Sequence, residues 1–93
     1  MNTYGYAEQR DQLLKRVNRL EGQVRGVGRM IEEDRYCIDI VNQIAAIQAA
    51  ARSLSLQLLE GHIRHCVADA VRSDGGEPQV KELIETLSRV IKR

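Results

Sequence analysis

Four side chains in this 93-residue sequence can bind soft metal ions or act as nucleophiles: Cys37, His62, His65 and Cys66. His62 and Cys66 are four residues apart, so on an α-helix they share one face and can bind the same ion. His65 is displaced by about 100° from Cys66 around the same helix, and we do not expect it to be a ligand.

Cys37 precedes this pair by a long interval on the same predicted helix. The rise of an α-helix puts Cys37 about 37 Å from His62, so the two cannot share an ion within one protomer. Two copies with antiparallel long helices, related by a two-fold axis near Ala50, would bring Cys37 of one protomer opposite His62 and Cys66 of the other. This pairing predicts two equivalent S/N/S sites, each spanning the subunit interface.

Two thiolates and one imidazole form a soft, low-coordination donor set that favours Cu(I). Structural zinc usually takes four ligands, and the sequence offers no evident fourth. The alternative is that each cysteine is a small buried hydrophobe and each histidine an ordinary hydrogen-bonded residue. Spacing alone leaves both interpretations open.

The apolar residues recur at steps of three and four, which predicts an all-α fold of three helices per protomer. The first helix is expected over Glu8–Glu33, the second over Tyr36–Val71 and the third over Gln79–Lys92. Asp34 is the predicted N-cap of the second helix. The single proline, Pro78, lies in the one predicted loop, Ser73–Pro78.

The chain is short and has no Phe or Trp, so its core must be built from aliphatic residues. A small chain with a long apolar helix gains stability by association. We therefore predict an antiparallel four-helix bundle formed by the first two helices of two protomers. Gly22 and Gly26 present a smooth face, which suggests close helix packing there.

Residues 1–93 are expected to form a single domain, with residues 1–7 as a flexible arm. No apolar run reaches the roughly 20 residues of a membrane span. The first ten residues have no apolar core, so we expect no export signal. These features predict a cytoplasmic protein that does not interact with membranes.

The net charge is only +1, but the positive charge is concentrated in the first third of the chain. Lys15, Arg16 and Arg19 cluster on one side of the first helix, and Arg52 lies midway along the second. Such a cluster either binds DNA phosphates or is a solvated helix face. Arg25 and Arg29 could extend it.

Three segments carry a resemblance to a known family: Arg19–Gly26 (RLEGQVRG), Met30–Cys37 (MIEEDRYC) and His62–Val67 (HIRHCV). Their sequences and intervals resemble the CsoR/RcnR family of bacterial metal- and thiol-responsive repressors, over about residues 9–91. The resemblance implies a helical homotetramer, a dimer of dimers, that binds operator DNA without a helix-turn-helix motif. It also implies that an effector releases the DNA, and it favours DNA binding by the basic residues.

Within that family, Cys37, His62 and Cys66 match the pattern of the copper(I) sensors, which implies one Cu(I) per protomer. Nickel/cobalt sensors have a histidine where Cys66 stands, persulfide sensors lack the histidine, and formaldehyde sensors lack the second cysteine. The copper sensors also hydrogen-bond the distal nitrogen of the ligand histidine through a tyrosine and a glutamate. The matching positions are Tyr36 and Glu82.

The resulting hypothesis is a copper(I)-responsive repressor of copper efflux or resistance genes. The alternatives are a family member that responds to persulfide or another metal, and a copper-binding protein that does not touch DNA. The sequence has no Cys-x-x-Cys pair, acid/base pair or phosphate-binding loop, so we do not expect an enzyme.

Overall fold

The computed structural model describes residues 6–91, which form helices and turns with no strand among them. The elements, in order, are a 3-10 helix (Ala7–Gln9), α1 (Arg10–Glu32), α2 (Cys37–His62), a π-helical turn (Ile63–Val67), α3 (Ala68–Asp74) and α4 (Glu77–Ile91). The second predicted helix corresponds to α2, the π turn and α3, which follow one another without a gap. The all-α fold with three helices per chain is confirmed.

The chain divides into two compact units, one of which is Asp11–Leu54. This unit contains most of α1 and the first part of α2. The Arg16 guanidinium donates a hydrogen bond to the Ser53 hydroxyl (3.4 Å), so the two helices lie side by side. They run antiparallel, because Gln23, further along α1, lines the same cleft as Ala50, which is further back along α2.

The predicted N-cap at Asp34 is wrong, because Asp34 ends α1 and does not begin α2. Asp34 has a left-handed backbone (φ 55°). The Arg35 N–H donates to the Met30 carbonyl (3.0 Å), and the Asp34 N–H donates to the Ile31 carbonyl (3.1 Å). These two bonds form a Schellman motif, which satisfies carbonyls that the end of a helix leaves without partners. α2 starts at Cys37, three residues after Asp34.

The second unit combines the described residues before Asp11 with those from Ser55 onward. Its predicted loop at Ser73–Pro78 is shorter in the structure, because α3 continues to Asp74 and α4 begins at Glu77. Gly75 and Gly76 make the break with positive φ angles of 87° and 64°. Pro78 is accommodated in the first turn of α4, where a missing N–H costs nothing. Lys92, the predicted end of the third helix, lies outside the described residues, as do residues 1–5 of the predicted arm.

Few apolar side chains are buried within one chain. Leu13 and Val67, each 6% exposed, are the only buried hydrophobic residues among those that the structure describes. Within one chain, Gly22 and Gly26 make no close helix contact, since a Cβ on Gly22 would meet no described residue within 4 Å and one on Gly26 only the Arg29 side chain. Close packing at these glycines stays a prediction for the assembled protein. No helix in the described region is long and apolar enough to cross a membrane.

Candidate functional site

His62 and Cys66 lie where the helix type changes. His62 is the last residue of α2, and Cys66 is in the π-helical turn. The Ala68 N–H donates to the Ile63 carbonyl five residues earlier, which is the bond that defines a π-helix. Single π turns within α-helices are rare and occur frequently at functional sites. Both side chains are half-buried, so they remain accessible to an ion.

Cys37 lies at the other end of the same helix, where it is the first residue of α2 and is exposed. Tyr36 precedes it, and the Tyr36 carbonyl accepts from the N–H groups of Asp39 and Ile40, which starts the helix. The Tyr36 side chain is 66% exposed. The first turn of α2 therefore presents a thiol and a phenol to the surface.

One chain does not assemble the whole predicted ligand set. No group of three or more His, Cys, Asp or Glu side chains is arranged to hold a metal ion within residues 6–91. Cys37 belongs to the Asp11–Leu54 unit, whereas His62 and Cys66 belong to the other unit. The donor chemistry suits Cu(I), because the three side chains are two cysteines and one histidine, which supply soft sulfur and nitrogen donors.

His65 lies in different surroundings from the two predicted ligands in its unit. It is exposed and lines a small polar cleft with Glu8, Gln9, Glu60, Gly61 and Arg64. Arg64 forms an ion pair with Glu60 (3.0 Å) in the same cleft. His65 therefore lies beside charged groups, and its exclusion from the ligand set stays a prediction.

Glu82 is exposed on α4. Its backbone carbonyl accepts a hydrogen bond from the Thr86 hydroxyl (2.8 Å). Its carboxylate forms no ion pair with any residue that the structure describes. The carboxylate is thus available to a partner such as the N–H of an imidazole.

The predicted DNA-binding residues on the first helix form one basic surface. Arg16 and Arg19 line two clefts on α1, one shared with Gln12 and Lys15 and the other shared with α2. Lys15, Arg16, Arg19 and Arg52 are exposed and have no carboxylate partner among the described residues. In contrast, Arg25 is paired with Glu21 (3.5 Å). Unpaired cations are the ones that can neutralise phosphates.

Sequence reasoning missed two features of these sites. The π turn gives no periodic signal, because it occupies only five residues inside a continuous helix. Ser53 was overlooked because a serine within an Ala-rich helix has no pattern of its own. Ser53 lies three residues after Ala50, on the side of α2 that faces α1. This spacing is the only feature of the sequence that could have identified it.

Comparisons with known proteins identify the family of the chain. Residues 9–93 match the sequence model of a family described as "Metal-sensitive transcriptional repressor". The copper-sensing transcriptional repressor CsoR of Bacillus subtilis is 48% identical over 92% of this chain and 85% of its own length. The copper-sensing repressor RicR of Mycobacterium tuberculosis is 45% identical over 96% of this chain and 95% of its own.

The chain also resembles a solved structure. The crystal structure of the copper-sensing repressor CsoR with Cu(I) from Geobacillus thermodenitrificans superimposes with a TM-score of 0.84 at 50% identity. The match covers 92% of this chain and 90% of that one.

Proposed function

Because the chain belongs to the family of metal-sensitive transcriptional repressors, we propose that it is a copper(I)-responsive repressor. Without metal it binds operator DNA, and Cu(I) binding releases it and derepresses copper efflux or resistance genes. The observation that carries this function is the presence of an S/N/S donor set in a chain that is 45–50% identical to copper-sensing repressors.

The residues that would hold Cu(I) are Cys37, His62 and Cys66, with one ion per protomer. Thiolates and an imidazole are soft donors that select Cu(I) over hard cations. Cys37 begins and His62 ends one 26-residue helix, which supports a site shared between two subunits. In such a site Cys37 of one protomer joins His62 and Cys66 of its partner.

The exposed apolar surface supports an oligomer. Large hydrophobic side chains are exposed along α1 and the first part of α2, including Val24 (55%), Ile31 (59%) and Val41 (57%). Leaving this much apolar surface in water is costly, at about 25 cal/mol per Å². The proposed assembly is an antiparallel four-helix bundle dimer that pairs into a dimer of dimers, which covers these side chains.

Tyr36 and Glu82 are the proposed partners of the distal nitrogen of His62. The exposed Glu82 carboxylate has no ion pair within the described region, and the Tyr36 phenol is exposed beside Cys37. A ligand imidazole usually donates its second N–H to a carboxylate or carbonyl, which fixes the orientation of the ring. A bond from His62 to Glu82 would connect the metal site to α4.

The DNA-binding surface is formed by Lys15, Arg16, Arg19 and Arg52. Phosphate contacts of this type supply sequence-independent affinity and position a protein on the duplex. Repetition of these residues in four protomers would produce an extended positive surface from a chain of small net charge. A cytoplasmic location follows from a function on chromosomal DNA, and the function requires no catalysis.

The test is selection from a random-sequence duplex library by the copper-free protein under anaerobic conditions. The proposal predicts enrichment of a defined operator and its release by Cu(I). Release by an organic persulfide, with Cu(I) ineffective, would identify the persulfide-responsive alternative. Copper binding without any enriched sequence would identify a copper-binding protein that does not act on DNA.

A further inference from the structure

The cleft between α1 and α2 is lined by both helices of the Asp11–Leu54 unit: Arg16, Arg19, Leu20, Gln23, Ala50 and Ser53. We propose that this cleft binds a phosphate of the DNA backbone, with Ser53 as the positioning residue that holds the Arg16 guanidinium at its mouth. The proposal rests on the proposed DNA-binding function and assigns a role to a residue on the second helix.

The shape of the cleft follows from the residue types on its two walls. On α1, Arg16, Arg19 and Gln23 recur at steps of three and four, so they project from one face. On α2, Ala50 and Ser53 are three residues apart and are both small. Long basic side chains on one wall and short ones on the other leave an open groove between the helices.

The charge of the cleft is positive and is not neutralised within the described chain. Its lining contains two guanidinium groups and no carboxylate. Four other arginines, by contrast, are paired with acids: Arg25, Arg35, Arg64 and Arg72. An anion is therefore the ligand whose charge complements this groove.

The Arg16–Ser53 hydrogen bond orders the guanidinium without neutralising it. The bond is 3.4 Å long and joins the two walls. An arginine has five N–H donors, so one bond to Ser53 leaves four for a phosphate. A carboxylate in place of the hydroxyl would orient the group equally well but would cancel its charge.

The Ser53 hydroxyl can itself contribute to the site. A hydroxyl that accepts a hydrogen bond retains its own O–H as a donor. Serine hydroxyls and arginine side chains are among the groups that contact DNA phosphates. Restricting Arg16 before DNA arrives also reduces the entropy lost on binding.

DNA is favoured over a free anion because the basic surface extends beyond this cleft. Arg16 and Arg19 also line the adjoining cleft, together with Gln12 and Lys15. A row of cations along a helix complements a chain of phosphates, whereas a single small anion needs only one pocket. The groups would bind successive phosphates of one strand.

The test is a double-mutant cycle on the full-length, copper-free protein with a 30-base-pair duplex of random sequence and the selected operator. Ser53→Ala should weaken binding to both duplexes by about threefold to tenfold. In an Arg16→Ala background the same change should have an effect of less than about twofold, because the residue acts through Arg16. Ser53→Thr, which keeps the hydroxyl, should restore binding.

The matched control is Ser55→Ala, which removes a hydroxyl from the same helix outside the cleft and should leave binding unchanged. Copper affinity and thermal stability should be the same in all the serine variants. The inference is overturned if Ser53→Ala binds as the parent does, or if its effect persists without Arg16. It is also overturned if 10 mM inorganic phosphate shifts the Ser53 amide resonance but neither duplex does, since the cleft would then be a small-anion site.

Failure of the proposed function has a different outcome. The repressor function is contradicted if the parent protein binds the random duplex but selects no operator. It is also contradicted if Cu(I) does not release the parent protein from DNA. The cycle on the random duplex still tests the role of Ser53 in that case. A parent that binds neither duplex overturns the phosphate site as well.

Discussion

Cys66 follows His62 by four residues across a change from α-helix to π-helix. A π turn contains more residues per turn than an α turn, yet a spacing of four is close to one full turn in either geometry. The two side chains therefore stay on one side of the helix despite the irregular backbone.

We expect His62→Ala and Cys66→Ala each to lower Cu(I) affinity by more than about a hundredfold, since removing a ligand costs more than removing its hydrogen-bond partner. The measurement is anaerobic competition with a Cu(I) chelator of known affinity. His65→Ala is the matched control and should bind as the parent does. Equal losses in the His65 and His62 variants would show that the ligand assignment is wrong.

The second prediction concerns the sharing of Cys37 between subunits. As homodimers, protomers with Cys37→Ala should bind no Cu(I) at the site. Homodimers of protomers with both His62→Ala and Cys66→Ala should bind none there either. Mixing them should produce heterodimers with one restored site, formed by Cys37 of the second protein with His62 and Cys66 of the first. Mass spectrometry of the mixture under native conditions counts the bound ions. Heterodimers without copper would contradict the inter-subunit site.

The third prediction separates copper binding from its effect on DNA. Glu82→Gln and Tyr36→Phe should leave the three ligands intact and change Cu(I) affinity by less than about tenfold. The ratio of operator affinities without and with Cu(I) should fall towards one, because the connection from His62 to α4 is lost. That ratio measures the coupling free energy, typically about 1–3 kcal/mol.

Glu85→Gln is the control for Glu82, since it also removes an exposed carboxylate from α4. A copper-saturated Glu82→Gln protein that leaves the operator as readily as the parent would show that the signal does not pass through Glu82.

The fourth prediction concerns the basic surface. Arg19→Ala and Arg52→Ala should weaken operator binding and flatten its dependence on salt, by about one unit for each contact removed. Copper affinity should be unchanged. Arg72→Ala is the control, because Arg72 is paired with Asp69 (2.6 Å) on α3. If Arg72→Ala flattens the slope as much as the other two changes, the DNA surface has been assigned to the wrong residues.

The fifth prediction concerns the two glycines between α3 and α4. Both have positive φ, so alanine at either position is strained by about 1–2 kcal/mol. A Cβ on Gly76 would also lie 2.8 Å from the Val71 backbone nitrogen, whereas one on Gly75 would meet no described residue within 4 Å. Gly76→Ala should therefore lower the free energy of unfolding by about 2–4 kcal/mol and Gly75→Ala by less. Urea denaturation at one protomer concentration compares the two, and equal losses would contradict the contact with Val71.

The helices were predictable because their apolar residues recur with a helical period over long stretches. The connections were less predictable, because one residue type can serve two roles. Asp34 suits an N-cap, but it also tolerates the left-handed conformation that ends α1, and hydrogen bonds to Met30 and Ile31 select the second role. The loop before Pro78 was predicted too long, since proline is compatible with the first turn of α4.

The candidate ligands and basic residues could be identified from residue type and spacing. The π turn and the Arg16–Ser53 bond could not, because each depends on three-dimensional packing. The bond joins residues that are 37 positions apart. Neither leaves a periodic pattern in the sequence.

The most direct test of copper-responsive repression is an anaerobic Cu(I) titration of the operator-bound protein, with DNA release followed by fluorescence anisotropy and copper ligation by X-ray absorption. We predict complete release at one Cu(I) per protomer and a three-coordinate site of two sulfur atoms and one nitrogen. Retention of the operator at full copper occupancy, or ligation without both sulfur atoms, would contradict the account.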